Sequence, residues 1–428
     1  MATTRPFDIL VYGATGFTGK KVAAYLCEQH ADRKVAIAGR SADKLQAVAE
    51  ELGLTSDSVM VAPVDDMEAL KKAVGSTRVV LACAGPYRHV GREIVAAAIA
   101  TQTDYLDLCG EPQYFDDTLV EFEEQAREAK TLIVSACAFD CVPAELSMKF
   151  VAKEFRKRYP ESPVTGVEIV HTFHGISHVN ATTFHAAVDG FHAVSTGELS
   201  ASRKKVKEAF PVPKAPPRPS EWPNKPQAPG TLPVYHEPTK SYIMKFMGAD
   251  AAAILNSERY LRIRDPERNK EPQPRLSVCF GLEQSWSAYK FIAFGSVFST
   301  LARFQWGCDV LHKQPELFTG GVFRDGGPSD DDLKEGGFVT HSVAYGLDDK
   351  ALRATCSGPE PGYVATPKML VALAVTVLDN RSKLAFDGGV MLPGALFGEC
   401  QEAFEQLDKE GITFQVLVDG DSAGAANV

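Results

Sequence analysis

The stretch Phe7-Asp-Ile-Leu-Val-Tyr-Gly-Ala-Thr-Gly-Phe-Thr-Gly-Lys-Lys-Val-Ala-Ala-Tyr-Leu-Cys-Glu-Gln-His-Ala-Asp-Arg-Lys-Val-Ala-Ile-Ala-Gly-Arg-Ser41 decides the fold of this chain. Ile9 to Tyr12 is a short apolar run of strand type, closed by Gly13. From Thr18 to His30, residues Val22, Tyr25, Leu26 and Gln29 recur at helical spacing. Gly13, Gly16 and Gly19 lie between strand and helix in a G-x-x-G-x-x-G pattern. A strand that turns at once into a helix aims unpaired backbone N–H groups and the positive end of the helix dipole at one point, where a pyrophosphate binds. Gly13 then permits the tight turn, Gly16 lets a phosphate approach the backbone, and Gly19 lets helix and strand pack closely.

The triplet departs by one residue from the G-x-G-x-x-G spacing, so its context carries the weight. A second strand, Lys34 to Ala38, ends in Gly39-Arg40-Ser41. A site that selects NAD places Asp or Glu here to accept from the ribose 2′-hydroxyl. Arg40 suits a 2′-phosphate instead, and Ser41 can donate to it as well. The stretch reads as a Rossmann-type dinucleotide unit that prefers NADP(H) to NAD(H).

Apolar runs and helical segments go on alternating to residue 136, as a doubly wound parallel sheet requires. Asp43 to Gly53 and Met67 to Val74 read as helices, and Val59 to Val64 and Arg78 to Cys83 as strands. Ala84-Gly85-Pro86-Tyr87 follows the last of these. Loops at the carboxyl ends of parallel strands line the ligand crevice, which places Gly85, Pro86 and Tyr87 beside the cofactor. Cys109-Gly110-Glu111-Pro112 and Cys137-Ala-Phe-Asp140-Cys-Val-Pro143 occupy equivalent positions after the strands Asp104–Leu108 and Leu132–Ser135.

Beyond Pro143 the alternation stops. Val167 to His174 alternates with period two and reads as a strand of a different, antiparallel sheet. Residues 203–240 are rich in Pro, Lys and Arg and read as an extended surface excursion. Arg275–Leu282, Phe338–Leu347 and Ala351–Ser357 resume the strands, and Pro367–Leu378 is the last clear helix. Phe291–Ala302 is apolar and aromatic, flanked by Lys290 and Arg303 with Trp286 and Trp306 outside. It is too short to span a bilayer. It reads either as a core or interdomain helix, or as a helix lying in a membrane or lipid surface.

A hydrophobic content of 45% and a net charge of −10 fit a globular protein that is no general nucleic-acid binder. Nine scattered cysteines, with no C-x-x-C pair and no room for a leader before the first strand, point to reduced thiols and a cytoplasmic location. His171, His174, His178, His185 and His192 crowd together, but strand and helix geometry keeps them from converging on one ion, so no metal is expected. No tyrosine has a lysine four residues later, as a short-chain dehydrogenase needs, and neither a nucleophile elbow nor a P-loop is present. Cys137 and Cys141 read as buried, inert thiols.

Gly110-Glu-Pro-Gln113, Ala138-Phe-Asp-Cys-Val-Pro143, Gly358-Pro-Glu-Pro-Gly-Tyr-Val-Ala-Thr-Pro367 and Gly388-Gly-Val-Met-Leu-Pro-Gly394 resemble the saccharopine dehydrogenase-like oxidoreductases from near the N-terminus almost to the end. The resemblance implies a dinucleotide domain over 1–145, an inserted α+β substrate and dimerisation domain over 146–357, and a segment over 358–428 that returns to the first domain. It implies cofactor contacts from Gly13, Ala14, Thr15, Gly16, Phe17 and Thr18, from Arg40, and from Ala84, Gly85, Pro86 and Tyr87. Phe139 and Asp140 are implied to lie near the nicotinamide. Family members linked to complex-lipid synthesis and to lipid droplets imply a small, lipid-like substrate and contact with a lipid surface through Phe291–Ala302. Where relatives carry G-T-x-x-S, this chain has Ala181-Thr-Thr-Phe-His185, so no substrate role is carried over at that motif.

Hydride transfer between NADP(H) and an apolar substrate is the first reading, with the chemistry supplied by the cofactor. Tyr87 is the candidate proton donor, with Asp140, His178 and His185 as competitors; packing of the Tyr87 ring on the nicotinamide is the alternative role. A cofactor sensor or lipid-surface adaptor without turnover is the second reading, and a saccharopine-forming enzyme the third. A homodimer through the sheet of the substrate domain is expected.

Overall fold

The computed structural model describes residues 5–176 and 178–418. Two compact units share the chain. The first comprises Met1–Val142, Ser202–Ala209 and Gly362–Glu410, and the second Pro143–Ala201, Phe210–Pro361 and Gly411–Val428.

In chain order the first unit opens with β1 (Phe7–Tyr12), α1 (Phe17–Gln29), β2 (Val35–Gly39), α2 (Ala42–Leu52), β3 (Val59–Val61), α3 (Met67–Gly75), β4 (Thr77–Ala82), α4 (Tyr87–Thr101), β5 (Asp104–Asp107), α5 (Pro112–Glu128) and β6 (Leu132–Val134). There follow α6 (Val142–Arg158), β7 (Gly166–His174), β8 (Val179–Asn180), α7 (Ala181–Thr196), α8 (Glu198–Ala209), β9 (Val234–His236), β10 (Ser241–Lys245), α9 (Asp250–Arg264) and β11 (Arg275–Leu282). Next come α10 (Ser285–Leu301), α11 (Gln305–Lys313), α12 (Pro315–Thr319), β12 (Phe323–Arg324), α13 (Asp330–Glu335), β13 (Gly337–Tyr345) and β14 (Ala351–Pro359). The chain ends with α14 (Thr366–Asn380), β15 (Gly389–Met391), α15 (Pro393–Leu396), α16 (Gln401–Lys409) and β16 (Thr413–Leu417).

Seven strands in the order β15-β6-β5-β4-β1-β2-β3 form the sheet of the first unit, every pair parallel. The strand order reverses between β1 and β4, the switch point at which doubly wound sheets bind ligands. Because helices cover both faces, the strands are apolar throughout rather than alternating: Ile9, Leu10, Val11, Val80 and Leu81 are fully buried or nearly so. The stretch Pro361–Lys383, which contains α14, is apolar enough to cross a membrane, yet 83% of its most apolar window is buried inside the protein. An all-round apolar helix enclosed in this way is a core helix.

The second unit is built on another seven-stranded sheet, β16-β14-β13-β7-β11-β10-β9. One face packs under α6 and α9, joining Val151, Phe155, Ile169, Ile254, Val278 and Ala354 in one core. This sheet is not wholly antiparallel as expected. β7 and β11 pair in parallel, Val167 beside Leu276 and Ile169 beside Val278, which the long helical connection between them makes possible. Three further differences concern local structure. Residues 203–209 are not extended but complete helix α8. β16 pairs with β14, so the chain from Gly411 belongs to the second unit rather than returning to the first. The apolar stretch Phe291–Ala302 is no buried core helix: of α10, only Ala288 and Phe298 are buried.

Candidate functional site

The crevice of the first unit is assembled from the loops that follow β1, β2, β4, β5 and β6. At the first, Gly13 takes φ +85, a left-handed conformation that a side chain strains. A Cβ there would also press within 2.9 Å of Ala84, so the glycine turn and the loop after β4 touch backbone to backbone. The turn is pinned by the Gly13 N–H donating to the Ala38 carbonyl at 2.8 Å and by the Gly16 N–H donating to the Gly13 carbonyl at 3.0 Å. A Cβ on Gly19 would collide with that same Gly13 carbonyl, which is why α1 can sit so close to β1.

Gly16 caps α1 with extended backbone and no side chain, and no acid occupies the first turn. The helix thus offers its first N–H groups and its positive dipole end to whatever lies over Gly16, which is exposed. Ala14 is buried beneath, and Thr15, Phe17 and Thr18 are half-buried around it. This cradle, which a Cβ would fill, fits a pyrophosphate.

Arg40 is exposed directly after the buried Gly39, and the half-buried Ser41 is the N-cap of α2 with its side chain not used in capping. Burial pushes the Tyr12 phenol up to about 12, while the nearby Arg40 guanidinium acts the other way; the Tyr12 hydroxyl donates to the Ala62 carbonyl at 2.7 Å. Arg40 therefore stands over the carboxyl ends of β1 and β2, where the ribose of a bound dinucleotide falls.

Tyr87 is placed differently from its expected role. Its ring is 7% exposed, its hydroxyl donates to the Ala82 carbonyl at 2.7 Å and accepts from the Leu108 N–H at 3.2 Å. Burial, reinforced by the neighbouring Asp107, holds the phenol well above its usual pKa. A hydroxyl committed to two backbone groups at such a site ties the loops after β4 and β5 together; it does not deliver protons. Ala84 is half-buried and Gly85 and Pro86 are exposed at the crevice.

Two carboxylates that the sequence reading passed over organise these loops. Glu111 accepts from the Tyr87 backbone N–H at 2.9 Å and from the Arg88 guanidinium at 2.8 Å, closing the start of α4. Asp107 is fully buried at the end of β5. One of its oxygens accepts from the N–H groups of Cys109 and Ala136, the other from the hydroxyls of Tyr105 and Ser135, at 2.8 to 2.9 Å. Burial raises its pKa to about 6 even against these four donors. The polar residue at the end of an otherwise apolar strand was the available signal.

Asp140 has φ +84 and lies across from Gly110, whose Cβ would come 3.7 Å from its carboxylate. The neighbouring Phe139 N–H donates to the Thr366 hydroxyl at 3.2 Å. The returning segment thus reaches the crevice, and it adds Tyr363, which meets the Phe17 ring edge-on at 4.9 Å beside the glycine turn. Of the proton-donor candidates, Tyr87 and Asp140 belong to the first unit, whereas His178 and His185 belong to the second. His178 pairs with Asp332 at 3.5 Å, and His185 stacks on His312 at 4.9 Å. Cys137 and Cys141 are buried.

Three comparisons place this geometry among known proteins. Residues 9–134 match the model of the saccharopine dehydrogenase NADP binding domain. The chain is 30% identical to a saccharopine dehydrogenase-like oxidoreductase of Rattus norvegicus, covering 97% of this chain and 99% of the relative. It is 28% identical to a lipid droplet localized protein of Caenorhabditis elegans, over 96% and 98%. Among solved structures, apo saccharopine dehydrogenase (L-Glu forming) of Saccharomyces cerevisiae superposes with a TM-score of 0.55 at 11% identity, over 96% and 100%, a likeness of fold.

Proposed function

The chain belongs to the saccharopine dehydrogenase-like oxidoreductase family, and on that footing we propose that it is an NADP(H)-dependent oxidoreductase acting on an apolar, lipid-like substrate. One observation carries the cofactor part: a side-chain-free cradle at Gly13, Gly16 and Gly19 lies at the switch point, with the exposed Arg40 at the end of the neighbouring strand. When bound, the nicotinamide supplies the hydride. The protein binds and orients: α1 receives the pyrophosphate, Arg40 and Ser41 the 2′-phosphate, and the loops fixed by Asp107 and Glu111 line the far end with Gly85, Pro86 and Asp140. Asp140 is the residue of the first unit best placed to exchange a proton with the substrate.

The nematode relative named for lipid droplets supports both an apolar substrate and work at a lipid surface. The commitment of the Tyr87 hydroxyl favours a second reading, a cofactor-binding protein without turnover. NADPH oxidation followed at its absorbance maximum, against a panel of unsaturated acyl and carbonyl lipids, tests between them. Turnover supports the first reading; stoichiometric NADPH binding with no turnover across the panel sinks it in favour of the second.

A further inference from the structure

Between α8 and β9 the second unit runs through Phe210-Pro-Val-Pro-Lys-Ala-Pro-Pro-Arg-Pro219 without helix or strand. Five of the nine residues after Phe210 are proline, each with φ held at about −65°. Val212, Ala215, Pro216 and Arg218 each precede a proline, which keeps them in extended backbone. Only Lys214 escapes both restraints. Among the described residues, no backbone group of residues 211–218 bonds to another backbone group. A polyproline II helix has that character, with three residues per turn and no internal hydrogen bonds.

Burial follows the same period of three. Val212, Ala215 and Arg218 are half-buried and form one edge of this helix. Pro211, Lys214 and Pro217 form a second edge, exposed throughout, and Pro213 and Pro216 are exposed on the third. The inner edge is fastened at Arg218. Its guanidinium donates to the carbonyls of Thr165 at 2.6 Å, Pro223 at 3.1 Å and Gln273 at 3.4 Å, and lies over the Trp222 ring at 5.1 Å from its centroid. Four proline rings are thus held out in water by a segment that is clamped along its other edge. Val212-Pro-Lys-Ala-Pro216 followed by Arg218 has the spacing read by domains that take two apolar–proline pairs and a cation. The structure withholds that reading, because Val212, Ala215 and Arg218 face inward. It offers instead the consecutive pair Pro216-Pro217 on the two outer edges, with Lys214 one turn before Pro217. Charge adds to this. From Arg203 to Pro219 the exposed cations are Arg203, Lys204, Lys205, Lys207 and Lys214 against the single acid Glu208, in a chain of net charge −10.

We infer that residues 211–219 are a docking edge for a protein module of the WW type, whose aromatic-lined groove takes Pro216-Pro217 and whose acidic rim meets Lys214. The ligand helix is already formed and anchored, so binding orders little further backbone. Full-length protein is titrated by interferometry against a panel of purified WW domains with acidic rims and of Src-homology-3 domains. WW domains are expected to bind and the others not. Pro216→Ala/Pro217→Ala is expected to lose about tenfold in affinity, and Lys214→Glu to lose several-fold together with the salt dependence. Arg218→Ala, which frees the inner edge, is expected to weaken WW binding by loss of preorganisation. Because Lys214, Pro216 and Pro217 are exposed, the thermal midpoints of the first two variants should match the wild type and show that they fold. The inference is overturned if no WW domain of the panel binds, or if the proline variant binds as well as the wild type. It is equally overturned if only Src-homology-3 domains bind, and only after Arg218→Ala, or if sedimentation shows that the proline substitutions break a dimer while no module binds.

Discussion

The Tyr105 hydroxyl donates to Asp107 at 2.8 Å, two residues along the same strand, and with Ser135 it occupies the carboxylate oxygen that the Cys109 and Ala136 N–H groups leave open. That carboxyl has a folded pKa of about 6, above its ordinary value near 4. The folded state therefore holds the extra proton between those two values. The contribution is full below about pH 4 and is lost as the pH rises through about 6, roughly 3 kcal/mol in all.

Asp107→Asn should remove that slope. Its amide oxygen still accepts from both backbone N–H groups, and the two hydroxyls can turn to accept from its nitrogen. Stability at pH 7 should stay the same or rise, whereas Asp107→Leu, which strands all four donors, should cost more than about 3 kcal/mol. Calorimetry at pH 4.5 and 7 checks both; a stability difference between the two pH values that is the same in Asp107→Asn as in the wild type would show that Asp107 contributes no slope.

His341, in the second unit, behaves in the opposite sense. Burial, with His236 and His171 nearby, lowers its pKa to about 4, so the folded state refuses a proton that the unfolded chain takes up near 6.5. Stability from this group is present above about pH 6.5 and lost as the pH falls through about 4. The two slopes oppose each other in the same window. The wild-type profile should therefore be flatter than that of His341→Gln, which exposes the Asp107 fall, or of Asp107→Asn, which exposes the His341 rise. Parallel profiles for the three proteins would refute the assignment.

Arg40→Ala should separate the cofactors. NADPH at about a hundred times its dissociation constant adds roughly 2.7 kcal/mol of apparent stability to a protein that binds it only when folded. The wild type should show this with NADPH and much less with NADH at the same concentration. In Arg40→Ala the NADPH shift should drop to the NADH level, while the midpoint without nucleotide stays put because Arg40 is exposed. Equal shifts in the wild type would remove Arg40 as the selecting residue.

Gly16→Ala and Gly13→Ala should fail in different ways. At Gly16, φ is −80 and an added methyl meets nothing nearer than the Gly13 carbonyl at 3.3 Å, so the protein should fold and lose nucleotide binding alone. At Gly13 the left-handed backbone and the contact with Ala84 should make the same change cost about 2 kcal/mol or more before any ligand is added. Denaturation midpoints with and without NADPH distinguish the two.

Cys109 should resist alkylation in the native state. Burial, with Asp107 and Glu111 nearby, holds its thiol well above the ordinary range, leaving negligible thiolate at pH 7.5. Mass spectrometry after a brief iodoacetamide pulse should find Cys109 unlabelled until denaturant is added. Native labelling within minutes would contradict the geometry.

The first unit was legible because its elements are long, periodic and punctuated by glycine, and because parallel strands buried on both faces read as unbroken apolar runs. The glycine turn, the Arg40 position and the loop after β4 followed from that frame. What the sequence hid were contacts between loops. Nothing local to Tyr87 says that Ala82 and Leu108 take up its hydroxyl, and nothing local to Asp107 says that four donors converge on it. In the second unit, β7 and β11 lie about a hundred residues apart, so pairing direction cannot be read from either alone. The apolar run in α10 was visible, but an apolar helix turned outward has the composition of one turned inward.

The seventh strand of the first sheet, β15, pairs with β6 through Gly389, Val390 and Met391, which leave the ribosome after all of the second unit up to Pro361 has been made. Until then the outer edge of Leu132-Ile-Val134 is an apolar strand with open backbone groups, a template for pairing with the wrong chain. A message truncated anywhere between Pro143 and Pro361 would release a nucleotide-binding half with that edge uncovered and without α14 in its core. Synthesis of this protein therefore includes an interval in which its parallel sheet carries an aggregation-prone edge, and translation from Pro143 to Pro361 sets how long that interval lasts.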